Sequence, residues 1–219
     1  MAMTNIIHVG GGKGGTGKTT AAHLICLGAT LRNQPAAYVL TDPSRKVRGD
    51  GRPYGVLDGR MPNDLAHILN ASRSALNGWL VIDGGGNRPA FDEELAAEAM
   101  LCVLPFRASE EDLDTVADDL QRLPNAIAWP TAWPTNAFAE RAAQYYIDGL
   151  AKAFAGRVIT SPIPFVNSVS ELLAASLVSP STPVRNAARK IFGQIEECFE
   201  KILAQEASPV HVTRGKGSA

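Results

Sequence analysis

A doubly wound, mostly parallel α/β sheet with helices on both faces, folded as a single domain, is the architecture this sequence predicts. Three observations point to it. Short apolar runs alternate with segments of helical periodicity along the whole chain. One of those runs, residues 79–83, ends on a carboxylate, Asp83, as a buried parallel strand does when its C-terminal end faces a ligand. Between the first apolar run and the first helical segment lies GGGKGGTGKTT, residues 10–20.

Residues 6–9 read as a short buried strand, and Ala21, Leu24, Ile25, Leu27, Gly28 and Leu31 recur at helical spacing. Between them, Gly12, Gly17, Lys18 and Thr19 satisfy the phosphate-loop pattern G-x-x-x-x-G-K-[ST]. Strand, glycine loop, helix is the context in which this pattern means phosphate binding. Glycines let backbone N–H groups turn inward around oxyanions, and the helix N-terminus adds partial positive charge. The loop residues Gly12, Lys13, Gly14, Gly15, Thr16, Gly17, Lys18, Thr19 and Thr20 are therefore the candidate nucleotide ligands. Lys18 is expected to reach the β- and γ-phosphates, and the Thr19 hydroxyl to ligate Mg²⁺.

Lys13 adds a second cation inside the loop. An ordinary phosphate loop needs none there, and the extra charge repels unless an anion sits near it. The whole string resembles the deviant Walker-A ATPases, the ParA/MinD family, and most of all its ParA-like partition ATPases. The resemblance is specific at 10–20, moderate at 79–83 and 158–165, and loose elsewhere. It implies ATP and Mg²⁺ as cofactors. It also implies that Lys13 reaches across a homodimer interface to the partner's nucleotide.

A length of 219 residues suits one α/β domain, and 45% apolar with 20% charged residues is the composition of a globular protein. The net charge of −1 excludes a strongly basic nucleic-acid binder while leaving room for a local basic face. Cys26, Cys102 and Cys198 are far apart and form no C-x-x-C, which argues against zinc, iron–sulfur and thioredoxin-type sites. Lone thiols, no apolar run near the ~20 residues of a membrane span, and no room for a signal peptide predict a cytoplasmic protein.

Residues 36–41 read as a strand ending at Asp42-Pro43. ParA-like proteins place Asp-x-Asp-Pro-Gln here. If Asp42 takes the first acidic position, Ser44 replaces the second; if Asp42-Pro43 matches the family's Asp-Pro, Leu40 occupies the first. Either way one carboxylate is missing. Asp42 is the candidate for positioning the attacking water, and hydrolysis is expected to be slow. Residues 43–62, rich in Gly, Pro and Arg/Lys, read as a long loop, either nucleotide-sensing, partner-facing or simply solvated. A helix over 63–71 follows, with Asn63 as N-cap.

Residues 79–83 resemble a Walker-B strand, with Asp83 holding Mg²⁺ beside Thr19. The glycines of Gly84-Gly85-Gly86-Asn87 allow close approach to the γ-phosphate. A helix over 92–99, a strand over 100–105 and a helix capped by Ser109 with Asp112 come next. A strand over 126–129 leads into WPTAWPTN, a rigid packed connection or a stacking surface. The helix over 138–154 is expected to gather Ala142, Tyr145, Tyr146, Leu150 and Phe154 on one side. Residues 158–160 read as the last strand, and the resemblance places Pro162 and Pro164 beside the adenine.

A short helix over 168–175 precedes a long one over 184–205, whose stripe Val184, Ala188, Ile191, Ile195, Phe199 and Ile202 is expected to dock on the sheet. Its outer side carries Arg185, Arg189, Lys190 and Lys201, diluted by Glu196, Glu197 and Glu200. The resemblance implies nonspecific DNA binding by such a patch; a solvated face is the plainer reading. The domain is expected to span 1–207, with a polar, disordered tail over 208–219 that lacks the apolar face of a membrane helix.

These readings converge on a switch ATPase whose ATP-bound homodimer engages DNA and an adaptor (ParB-like) protein, as in partition of plasmids, chromosomes or other cargo. The alternatives on the same fold are an ATP-dependent metabolic or cofactor-assembly enzyme and a conjugation-associated ATPase.

Overall fold

In the computed structural model, residues 4–207 are described except 75–76, 86–87, 163–165 and 178, and the side chains of 202–207 lie outside the description. The elements run β1 (Thr4–Val9), α1 (Lys18–Thr30), β2 (Ala36–Leu40), β3 (Gly55–Asp58), α2 (Pro62–Ser74), β4 (Gly78–Asp83) and α3 (Pro89–Glu98). They continue with β5 (Leu101–Phe106), α4 (Glu110–Arg122), β6 (Ala126–Pro130), α5 (Ala137–Ala153), a 3₁₀ helix (Asn167–Leu173) and α6 (Thr182–Ala207).

The strands form one parallel sheet in the order β3-β2-β4-β1-β5-β6. β1 lies between β4 and β5, with Ile7 opposite Val81 on one side and Leu101 on the other. Covered on both faces, such strands read as continuous apolar runs rather than alternating ones, as LCVLPF of β5 does. The chain goes first to one side of β1 and later to the other. The reversal leaves a crevice at the carboxyl ends of the strands, where ligands bind in open α/β sheets.

One face is covered by α1 and α6. Helix α1 is buried almost all round, and Gly28 lets α6 approach it; a Cβ there would lie 2.2 Å from the Ala188 carbonyl oxygen and 2.5 Å from Phe192 Cβ. The predicted stripe Val184, Ala188, Ile191, Ile195 and Phe199 is buried, but against α1 more than against the sheet. It reaches the strands at Trp79, whose ring meets Phe192 and Phe199 edge-on at 5.1 and 5.3 Å. Ile202 of that stripe lies outside the described side chains. On the other face, Cys102, Leu104 and Phe106 pack against Val116, Leu120 and Ile147, and Ile6, Val39 and Ile82 against Leu65 and Leu95.

Five sequence expectations are corrected. The stretch 43–62 is not all loop: β3 pairs in parallel with β2, Tyr38 opposite Val56 and Leu40 opposite Asp58. As an exposed edge strand of four residues, it carries no apolar run to announce it. The strand at 158–160 is reduced to one bridge, Ala128 to Val158. The helix at 168–175 is a 3₁₀ helix. In α5 the buried face is Ala143, Ile147 and Leu150, while Tyr145 is 78% exposed; the amphipathic tyrosines had suggested the wrong stripe. The Trp-Pro segment is a packed connection, with Trp129 and Trp133 buried. The Ser109 cap forms, but Asp112 accepts from the Arg107 N–H, not from Ser109. No described helix is long and apolar enough to cross a membrane. The segment 208–219 lies outside the described residues.

Candidate functional site

The phosphate loop leaves β1 over a buried polar pair. The His8 ring donates to or accepts from Asp92 at 3.0 Å, wholly inside the protein. Gly10 and Gly84 close over that ring: a Cβ on either would lie 2.4 or 2.3 Å from it. Gly11, Gly15 and Gly17 take φ of 120°, 77° and 99°, where only glycine is comfortable. Gly17 caps α1 in the left-handed region without a side-chain bond. The first N–H groups of the helix thus have no side-chain cap, as an anion site requires.

Distant residues hold the loop. Asp119 of α4 accepts the Gly12 N–H at 2.9 Å and pairs with Arg122. Arg107 donates to the Gly15 carbonyl at 2.6 Å, and the Thr131 hydroxyl to the Thr16 carbonyl at 2.8 Å. Lys18 is buried and curls over the loop, donating to the carbonyls of Gly11 (3.1 Å) and Lys13 (2.6 Å). Burial lowers its pKa, against the pull of Asp92, Asp83 and Asp119.

Asp83, at the end of β4, is fully buried. Its Oδ2 accepts from the Tyr38 hydroxyl at 2.7 Å; its Oδ1 has no hydrogen-bond partner among the described residues. Burial raises its pKa, partly offset by Tyr38 and Thr19. An orphaned carboxylate oxygen beside a threonine hydroxyl suits Mg²⁺, which takes one or two protein oxygens and completes its shell with phosphate and water. No group of three or more His, Cys, Asp or Glu among the described residues could hold a metal.

Asp42 stands at the rim of the same cavity, about 370 Å³ in volume, which Gly14, Gly15, Gly17, Lys18, Thr19, Thr20 and Asp83 also line. Its carboxylate accepts from the Ser44 N–H (2.9 Å) and hydroxyl (2.6 Å) and faces Arg45 at 3.4 Å. Burial pushes its pKa up, but the Ser44 bonds and Arg45 prevail and hold it below the usual range. Ser44 thus serves Asp42 instead of supplying a second acid. Arg88 ties the strand ends, donating to the Thr41 carbonyl and hydroxyl and to the Gly84 carbonyl at 3.2, 3.1 and 3.0 Å.

Lys13 points elsewhere, pairing with Glu111 of its own chain; its side chain is 33% exposed and that of Glu111 79%. A second recess of about 180 Å³, lined by Thr16, Thr20, Arg107, Thr131, Val166 and Val169 among others, has the apolar walls a base requires. Pro162 is half-buried, outside that lining, and its carbonyl accepts from Lys190 at 3.0 Å. Pro164 lies outside the described residues, as do Gly86 and Asn87. Tyr38, Arg88, Arg107, Asp119 and Thr131 escaped sequence reasoning, because only the fold brings them to the loop.

No family model matches the sequence, and no curated protein sequence matches it. Solved structures match its fold. A variant of McdA from Cyanothece in complex with ATP is 13% identical with a TM-score of 0.64, covering 91% of this chain and 98% of its own. A putative plasmid partition protein from Borrelia burgdorferi bound to AMPPNP is 13% identical, with a TM-score of 0.57 and coverages of 93% and 99%. A cobyrinic acid a,c-diamide synthase from Mycobacterium smegmatis with ADP and magnesium is 16% identical, with a TM-score of 0.59 and coverages of 90% and 96%. At such identities the likeness is one of fold, and the fold is that of the ParA/MinD P-loop ATPases.

Proposed function

We propose that this chain, built on the ParA/MinD P-loop fold, is an ATPase that uses ATP and Mg²⁺ as a dimerisation switch in partition of DNA or positioning of cargo in the cytoplasm. One observation carries the reading: the glycine loop, Thr19, Asp42 and the half-unpartnered Asp83 converge on one cavity. The N–H groups of the loop and of the start of α1 hold the phosphates. Lys18 exchanges its two loop carbonyls for phosphate oxygens. The Thr19 hydroxyl and Asp83 would hold Mg²⁺, which would supply neutralisation of phosphate charge. Asp42, kept ionised by Ser44 and Arg45, orients the attacking water. With a single acid there, turnover is slow.

Lys13 serves the partner's nucleotide in the ATP-bound homodimer. Its exposed pair with Glu111 costs little to break, since surface pairs contribute roughly 0–1 kcal/mol. A triphosphate offers it more negative charge than one carboxylate does. Arg185, Arg189, Lys190 and Lys201 form the DNA-facing patch, and an adaptor protein reads the dimer state. The partition protein with AMPPNP supports this reading at the level of fold.

The test is the mass of the full chain in solution with ADP and with a nonhydrolysable ATP analogue, with and without duplex DNA. The wild type is expected to dimerise with the analogue only. Lys13→Ala is expected to keep nucleotide binding and stay monomeric; a variant that dimerises like the wild type refutes the cross-interface role. A second reading, an ATP-dependent synthase acting on an organic acid, is favoured by a cationic recess beside Thr19. Turnover that requires an organic acid and ignores DNA would select it.

A further inference from the structure

A polar recess of about 200 Å³ adjoins the phosphate cavity, and Thr19 and Arg45 line both. Part of its lining is neutral. His23 is stacked on Tyr38 at 4.1 Å and bonded through Nδ1 to the Tyr54 hydroxyl at 3.0 Å. Burial, with Arg52 and Arg45 adding to it, drives the His23 pKa down to about 3, so the ring carries no charge.

The rest of the lining is cationic: Arg45, Lys46, Arg48 and Arg52, all from the segment between β2 and β3. Among the described residues only Arg45 has a carboxylate partner, Asp42. Arg48 donates to the Leu173 carbonyl at 2.5 Å, and Arg52 to the carbonyls of Leu172 and Ala174 at 2.8 and 2.9 Å. These are neutral acceptors, so they orient the guanidinium groups without cancelling their charge. Arg52 Nε and Nη1 are buried and make no hydrogen bond of good geometry among the described residues, although the Tyr54 hydroxyl lies beside the guanidinium.

Four cations gathered around one recess repel one another unless an anion joins them, and buried donors without acceptors are costly. The guanidinium fork matches carboxylate and phosphate oxygens. Because these Arg52 donors are buried, they are matched to a small ligand and not to a duplex backbone. We infer that this recess binds the oxyanion of a small ligand separate from the nucleotide, a carboxylate or a phosphate, held beside the metal side of the nucleotide site. The inference rests on the nucleotide reading only for what the recess adjoins.

Calorimetric titration of the full chain with inorganic phosphate, and separately with succinate, tests it in the presence of saturating Mg-ADP or Mg-AMPPNP. Saturable binding is expected with both nucleotides, and the tighter anion identifies the source as phosphate or carboxylate. Lys46→Gln and Arg48→Gln are each expected to weaken it at least tenfold while leaving Mg-ADP affinity unchanged. Lys46 makes no hydrogen bond or ion pair to another described residue, so its replacement tests charge without disturbing the 3₁₀ helix. No saturable binding of either anion, binding unaffected by both substitutions, or binding lost when AMPPNP fills the γ-phosphate position would overturn it. Failure of Mg-ADP itself to bind would instead sink the nucleotide reading, and the titration without nucleotide would still report on the recess.

Discussion

Asp83 is the residue whose energetics are most exposed to experiment. Its folded pKa is raised, chiefly by burial. The stability it contributes is therefore complete below the ordinary carboxylate value of about 3.9 and is lost as pH rises through the folded value. Wherever Asp83 is ionised, its buried charge is a burden on the empty protein, relieved by a cation or by removing the charge. Asp83→Asn is expected to raise the melting temperature without nucleotide by roughly 2–4 °C, the equivalent of about 1 kcal/mol in a chain of this size. It should also abolish the Mg²⁺-dependent gain in nucleotide affinity. Melting curves with and without Mg²⁺ check both; a lower melting temperature in the variant would mean the carboxylate is already compensated. The loop glycines, Lys18 and Thr19 could be singled out in the sequence because they stand together in one motif, and Asp83 because it ends an apolar run. Tyr38, which holds Asp83 from 45 positions away, carries no local mark of that role, and neither does Asp119 beneath Gly12.

Among the elements, α1 does two jobs. It begins with Lys18 and Thr19, the proposed phosphate and Mg²⁺ ligands, and its middle is pressed against α6 at Gly28. Gly28→Ala would bring a methyl group against the Ala188 backbone, which cannot rotate aside as a side-chain tip can. The expected cost is roughly 1–3 kcal/mol or more. Since the helix must slide to make room, nucleotide affinity should fall as well, although Gly28 lies far along the helix from the loop. Chemical denaturation with a nucleotide titration measures both, and a variant as stable and as tight-binding as the wild type would disprove the coupling. Element boundaries were read well where burial is two-sided, as in β1, β4 and β5. They failed at β3, whose GVLD sits half in solvent, and at 158–160, where pairing stops after one bridge. An amphipathic period exists only when one side is wet, and an edge strand this short leaves too few residues to show it.

For the molecule as a whole, charge is uneven despite the net value of −1. Arg189 and Lys190 are exposed on α6, and Glu196 is drawn away to Arg32. If the proposed DNA binding runs through this patch, reversing Arg185, Arg189 and Lys190 to glutamate is expected to abolish it together with the steep salt dependence that phosphate contacts bring. Retained binding in a salt-dependent retardation assay would move the DNA face elsewhere. The doubly wound plan was legible from the alternation of strands and helices alone, because parallel strands need crossovers long enough to hold a helix. The pocket walls were not, since they are assembled from β2, α1, the 3₁₀ helix and the loop before β3.

The contact between Lys13 and Glu111 has a consequence for timing. In the proposed dimer, a subunit that pairs its own amine with Glu111 would hold back, by a small margin, what its twin needs, and so would slightly disfavour pairing of empty molecules. Glu111→Ala should therefore lower the concentration of ATP analogue at which pairs assemble, read from light scattering. An unchanged threshold would mean that the acid is a bystander and that restraint on premature pairing resides in some other part of the surface.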